Sequence, residues 1–260
     1  MPLVYRPASE QDLGRAQELV VRSINDLTER HGFGPMAVIR PTQFQSFSLK
    51  DDPDGLWVAE DTGELLGFAF SWVCGALWFL AELFVSPGHQ GRGIGNELLK
   101  RTLDHAQKRG TTNRALITFT FNTVSQGLYI RHGMFPRLPI YNFKVARELL
   151  IDRLQGAQLR GVIFQAEDDC VGYAYISPDG HIGPLGVAEP EVLGAAFKAA
   201  LQLAANSGCS HVSAFLPGTS DVALSIAVEH GMRITFPMVL VSTHDFGNWT
   251  QYLPRNPGFM

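Results

Sequence analysis

Residues 132–134 read His-Gly-Met, and residues 230–232 read the same, 98 positions later. Pro139-Ile140 is echoed by Pro237-Met238, and Gly110 by Gly208, at that same offset. Upstream the match shifts, because Val85 aligns with Val187 at an offset of 102. Landmarks that coincide at one spacing are the mark of an internal duplication. The four residues missing from the second copy fall in a glycine-rich loop of the first. Each copy is therefore expected to be a small unit with its own core, the alternative being two α/β halves with accidental similarity. The expected division is a first domain over 1–146, a degenerate second over 147–245 and a tail over 246–260.

The local pattern gives the content of each copy. Ser9-Glu10-Gln11-Asp12 has the form of a capping box. Leu13, Ala16, Leu19, Val20, Ile24 and Leu27 follow at helical spacing. His31-Gly32-Phe33-Gly34-Pro35 breaks that helix, and a shorter one after Pro41 carries Phe44 and Phe47. Strands are expected at Leu56 to Ala59, Leu65 to Cys74 and Leu77 to Val85, the first two joined by the turn Asp61-Thr62-Gly63. A helix from Ile94 closes at Gly110, a strand covers Ala115 to Phe119, a short helix Val124 to Arg131, and a last strand Ile140 to Val145. Hairpins followed by a crossover predict an α/β (α+β mixed) unit, with helices covering a mixed sheet. The second half repeats the later part of this order in weaker form.

Composition narrows the function classes. A formal net charge of −4, with no block of Lys and Arg, gives no reason to expect nucleic acid. No apolar run reaches the roughly 18 residues of a membrane helix, and no secretory signal is visible, so neither membrane nor export is expected. Cys74, Cys170 and Cys209 form neither a disulfide framework nor a zinc pattern; no metal is expected, and a reducing, cytoplasmic setting fits.

The chemistry centres on Leu83 to Asn96. A strand enters, Gly88, Gly91, Gly93 and Gly95 follow, and a helix leaves. Glycines let backbone amides turn inward, and the orphan amides of the new helix point the same way, which suits a pyrophosphate. Arg92 either adds charge or projects into solvent. A dinucleotide fingerprint needs Gly-x-Gly-x-x-Gly, and a P-loop needs Gly-Lys-Ser/Thr; Gly91-Arg92-Gly93-Ile94-Gly95-Asn96 satisfies neither.

Gln90-x-x-Gly93-x-Gly95 between a strand and a helix resembles the acetyl-CoA signature of GNAT acetyltransferases. Asn122-Thr123-Val124-Ser125-Gln126-Gly127-Leu128-Tyr129, with His132-Gly133-Met134 after it, resembles the family's second landmark, Met134 standing where Phe is usual. The resemblance covers residues 3 to about 146. It implies two tandem GNAT-like domains, each a mixed, mostly antiparallel sheet with a central pair of parallel strands that splay apart. It places Leu83, Phe84 and Val85 along the pantetheine arm of coenzyme A. It also wraps Gln90, Gly91, Arg92, Gly93, Ile94, Gly95 and Asn96 around the pyrophosphate, and sets Asn122 and Ser125 near the cofactor. The implied activity is acetyl transfer from acetyl-CoA to a primary amine of a small molecule or peptide, by direct attack in a ternary complex.

Such a transfer needs a deprotonated amine, a stabilised oxyanion and a proton or hydrogen bond for a leaving thiolate of pKa about 8.5. Tyr129 stands where the family often has the thiolate acid; its other reading is a packed helix tyrosine. Glu82, a carboxylate in an apolar strand, is the expected base, direct or through water, and burial would raise its pKa. The rival readings are an edge carboxylate facing solvent, or one that only orients the amine. His89 lies on the phosphate side of the loop, and His132 fits as a helix-end cation. Asn25, Phe33, Phe44, Phe47 and Trp72 fall where the family builds its substrate pocket, although each aromatic also fits a core.

The second copy has Glu189-Pro190-Glu191 in place of the loop, Ser220 at the position of Asn122 and Ala227 at that of Tyr129. It is expected to be structural, and the protein a monomer or homodimer. The alternative to an enzyme is an acyl-CoA-responsive sensor without turnover.

Overall fold

The computed structural model describes residues 3–146, 163–166 and 169–258. The opening stretch of the expected second domain, 147–162, and Phe259 of the tail lie outside these residues. The described residues fall into two compact units: 3–117 with 121–135 and 241–244, and 118–120 with 136–240 and 245–258.

The first unit begins with β1 (Val4–Pro7) and a single helical turn. As the capping box predicts, Asp12 accepts the Ser9 amide at 2.8 Å. It also receives Arg6 at 2.7 Å and Arg15 at 2.8 Å, and the hydrogen bond from Arg6 above all holds its carboxyl far below the usual range. Then come α1 (Leu13–Arg30), α2 (Gln43–Asp51), β2 (Leu56–Asp61), β3 (Glu64–Cys74) and β4 (Leu77–Val85). Thr62 and Gly63 both take positive φ, 49° and 86°, which matches the twist of a tight hairpin between β2 and β3. α3 (Ile94–Lys108), β5 (Asn113–Phe119) and α4 (Thr123–Arg131) follow. Strands run in the order β1-β2-β3-β4-β5.

Alternation along the strands sends side chains to two faces. Leu56, Val58, Phe68 and Phe70 meet Leu13, Ala16, Leu19 and Val20 of α1. Ala59, Leu66 and Ala69 meet Ile94 and Leu98 of α3 on the other face. Burying each Leu, Ile, Val or Phe side chain of these layers stabilises by about 1.5–3 kcal/mol, so the two layers are what holds the sheet in place.

The second unit contains β6 (Phe135–Ala146), β7 (Ile163–Ala166), β8 (Asp169–Ile176), β9 (His181–Val187), α5 (Leu193–Ala205), β10 (His211–Pro217), α6 (Asp221–Glu229), β11 (Arg233–Ser242) and β12 (Tyr252–Leu253). Its strand order is β11-β6-β10-β9-β8-β7, with β12 on β9. Its core joins Ala196, Phe197 and Leu201 of α5 to Ile182, Leu185 and Ala214.

The duplication is visible residue by residue. β10 repeats β5 and α6 repeats α4 at an offset of 98. Gly133 and Gly231 both turn left-handed, at φ 76° and 78°. After them the Met134 amide donates to Tyr129 O at 3.1 Å, and Met232 to Ala227 O at 2.9 Å.

The units do not follow the expected boundary at 146. β6, from the first copy, is antiparallel to β10 in the second unit, with Phe143 opposite Ala214. The end of β11 and the two residues that follow it, 241–244 of the second copy, belong to the first unit, where the Thr243 amide donates to Arg114 O at 3.0 Å. The second unit thus takes a strand of the first copy, and the first unit takes residues 241–244 of the second. β6 is also longer than the expected 140–145. Among the described residues, no helix is long and apolar enough to cross a membrane.

Candidate active site

The β4–β5 ladder is parallel and short. It runs from Leu77↔Asn113 to Leu80↔Leu116 and stops. β4 continues to Val85 on the β3 side, but a bulge at Ala81 brings Glu82 opposite Phe70 while Leu80 stays opposite Ser71. Trp78, Phe79 and Leu80 are buried, whereas Ala81 to Val85 are all half-buried. The strands therefore part, and the second half of β4 is left without a partner in the ladder to β5.

Register assigns the side chains of this stretch. Glu82 and Phe84 sit opposite Phe70 and Phe68, on the face covered by α1. Leu83 and Val85 pack on the α3 side. Gln45 of α2 donates from Nε2 to Glu82 Oε1 at 3.1 Å. Glu82 Oε2 is buried and has no hydrogen-bond partner among the described residues. Burial pushes the carboxyl up to about 7, and the Gln45 bond opposes the shift. The solvent-facing reading of Glu82 is thereby excluded. Gln45 went unnoticed in the sequence, since a glutamine in a polar stretch carries no pattern.

After β4 the chain makes one turn at Pro87–His89 and enters α3 through Gly93. Gly91 and Gly93 have φ of 77° and 83°, where a side chain would strain the backbone. A Cβ at Gly88, Gly91 or Gly93 would meet nothing within 4 Å, so the loop is bare. The first intrahelical bond runs from Glu97 N to Gly93 O, leaving the amides of Ile94, Gly95 and Asn96 without helical acceptors. A bare glycine loop with free amides at a positive helix end fits a pyrophosphate. Gln90 is turned the other way: its Nε2 donates to Val85 O at 3.2 Å, and that carbonyl also accepts Ser23 Oγ at 3.3 Å. Arg92 is exposed. Arg22 reaches Ser86 Oγ at 3.4 Å, an α1 contact at the loop that the sequence did not signal.

Asn122 caps α4, its Oδ1 accepting the Ser125 amide at 3.3 Å. Tyr129, one face further along, is 5% exposed. Burial raises its phenol well above the ordinary value while the Ser125 side-chain hydrogen bond opposes this, so the hydroxyl stays protonated. His132 is not the helix-end cation expected. Burial first, and then the charges of Lys100, Arg131 and Arg114, lower its pKa. Its Nε2 lies 3.0 Å from Asn96 Oδ1, which ties the end of α4 to the first turn of α3.

The five expected pocket residues divide. Phe44 packs on Phe70 at 5.3 Å, and Trp72 stacks on Phe79 at 5.1 Å, both beside the Glu82 strand. Asn25 is spent on the chain itself: Oδ1 accepts the Met36 and Ala37 amides at 2.9 and 2.7 Å, and Nδ2 donates to Ala37 O at 3.0 Å. Phe33 is 40% exposed and stacks on Phe121 at 4.8 Å. Phe47 is 62% exposed, because two residues of helix rotate it to the face opposite Gln45.

The family model for acetyltransferases (GNAT) matches residues 21–134. An uncharacterized N-acetyltransferase of Methanocaldococcus jannaschii is 35% identical over 72 residues, 24% of this chain and 30% of that protein. The mycothiol acetyltransferase of Beutenbergia cavernae is 34% identical over 88 residues, 33% of this chain and again 30% of that protein. The chain thus covers less than a third of either relative. Among solved structures, a Pyrococcus horikoshii protein whose acetyltransferase activity is inferred aligns over 99% of this chain and 96% of its own, at TM-score 0.76 and 15% identity. A tandem GNAT protein from the clavulanic acid biosynthesis pathway aligns over 95% of this chain and all of its own, at TM-score 0.65 and 15% identity. Residues 21–134 match the acetyltransferase (GNAT) family model, and the chain as a whole is similar in fold to a tandem GNAT protein.

Proposed function

We propose that the first unit is an N-acetyltransferase that takes acetyl-CoA and a primary amine of a small molecule or peptide, with direct attack in a ternary complex. The observation that carries this reading is the parting of β4 from β5 after Leu80, with a buried carboxylate on β4 and a bare glycine loop at its end.

Acetyl-CoA supplies the acyl group as a thioester. Gly91 to Asn96 hold its pyrophosphate through backbone amides, and the parted edge of β4 from Leu83 to Val85 offers backbone groups to its amide-bearing arm. Gln90 acts by bracing the loop on Val85 O and Asn122 by capping α4, so both position rather than bind. Ser125 acts through Tyr129.

Glu82 takes a proton from the incoming ammonium. A carboxyl at about 7 is half ionised near neutral pH, so it can accept that proton and release it again. Its buried Oε2, without a hydrogen-bond partner among the described residues, is the atom left to receive it, while Gln45 fixes Oε1. Tyr129, kept protonated by burial, donates to the sulfur as it leaves. Phe44 and Trp72 give the amine an apolar wall.

The test is thiol release from acetyl-CoA by purified protein across a panel of primary amines. Amine-dependent release is expected. Coenzyme binding with no release from any amine would instead favour the sensor.

A further inference from the structure

The second unit keeps the parted strands of the first but fills them differently. The parallel β9–β10 ladder pairs His181 with Ser213 and Ile182 with Ala214, and then stops. Ile182 and Ala214 repeat Leu80 and Leu116, so both copies part at the same place. Beyond that point Leu185, Gly186 and Val187 repeat Leu83, Phe84 and Val85. Nothing else of the reaction survives here. Pro184 stands at the position of Glu82, and Ala227 at that of Tyr129.

That stretch of β9 is taken by the chain's own tail. Tyr252 and Leu253 in β12 pair antiparallel with Gly186 and Leu185. The Val187 amide donates to Gln251 O at 3.0 Å, and Gln251 Nε2 donates to Ala188 O. His181 Nε2 lies 2.5 Å from Arg255 O. Leu253 is fully buried in the core of the unit. The tail passes so close to β9 that a Cβ at Gly183, whose φ is 152°, would stand 2.7 Å from Pro254 O.

We propose that the second unit is a receptor for an extended peptide strand, made from a former cofactor cleft, and that residues 251–255 are its resident occupant. A peptide and the amide-bearing arm of coenzyme A offer a strand edge the same hydrogen-bonding groups, so one parted edge serves either. The ligand class is an extended segment with a buried aliphatic residue following an aromatic one, as in Tyr252-Leu253-Pro254. The description of the cleft as a former cofactor site rests on the proposed function of the first unit. The peptide site itself rests only on β9, β10 and β12.

The experiment uses the full chain with a protease site inserted at the exposed residues His244-Asp245. After cutting, the tail is expected to stay bound on gel filtration and to exchange with a fluorescent peptide of residues 246–258. Leu253→Asp in the same chain is expected to release the tail completely. Loss of the tail from the cut wild-type chain would overturn the proposal. So would failure of the peptide to enter, a readout that stands even where Leu253→Asp does not fold. Titration with coenzyme A is expected to give one site per cut chain before and after tail removal, and a second site on removal would contradict the conversion. No coenzyme binding in either form, with the peptide still exchanging, would count against the first unit's reading alone.

Discussion

Glu82 was legible because a single carboxylate in Leu77 to Val85 breaks an apolar run, and chains rarely place a charge there without use. Its partner Gln45 was not legible, since only the packing of α2 over the sheet brings them together. The pair has a consequence for stability. The folded pKa of about 7 lies above the ordinary 4.5, so the protonated carboxyl stabilises the fold fully below pH 4.5. That contribution disappears as pH rises through about 7. Glu82→Gln should therefore gain on wild type by up to about 3 kcal/mol between acid and pH 8, read as a growing difference in denaturant midpoints. An unchanging difference would sink the burial argument. Tyr129→Phe should lower kcat about 100-fold with little change in KM for acetyl-CoA; an unaltered kcat would return Tyr129 to core packing. His132 was misread from its place at a helix end, because the burial that chiefly lowers its pKa comes from packing, and two of the cations that add to it, Lys100 and Arg114, come from α3 and β5.

At the scale of elements, the apolar periods of α1 and α3 were plain, and so was the glycine loop, since only glycine tolerates its φ values. The parting of β4 and β5 was reached only through family resemblance. Alternation along a strand tells which face a side chain takes and not where a ladder ends. The same limit explains Phe47, whose outward direction depends on the rotation of α2 about its axis. Gly93→Ala tests the loop. A left-handed alanine costs about 1–2 kcal/mol, and the strain falls where the pyrophosphate would sit. The KM for acetyl-CoA should rise about 10-fold or more while the melting temperature falls by only a few degrees. An unchanged KM would remove the loop from the site.

For the whole molecule, repeated landmarks revealed two copies, but not which copy's strand completes which unit. β6 and β11 are the same strand of the repeat, so pattern alone cannot assign them. The exchange has a measurable result. A fragment of residues 1–146 carries every proposed catalytic residue yet lacks 241–244 beside β5. It should fail to fold cooperatively or bind coenzyme A, and co-expression with 147–260 should restore both. A stable, active 1–146 fragment would argue for two separable domains.

Glu82 is the proposed base for acyl transfer in the first unit. The most direct measurement of that role is kcat/KM against pH for wild type and Glu82→Gln with the same amine, so that the acceptor's own titration cancels in the ratio. Wild type is expected to exceed the variant by a factor that climbs through a single ionisation near pH 7 to about 100 or more. A ratio that stays flat with pH, or a variant as active as wild type, would contradict it.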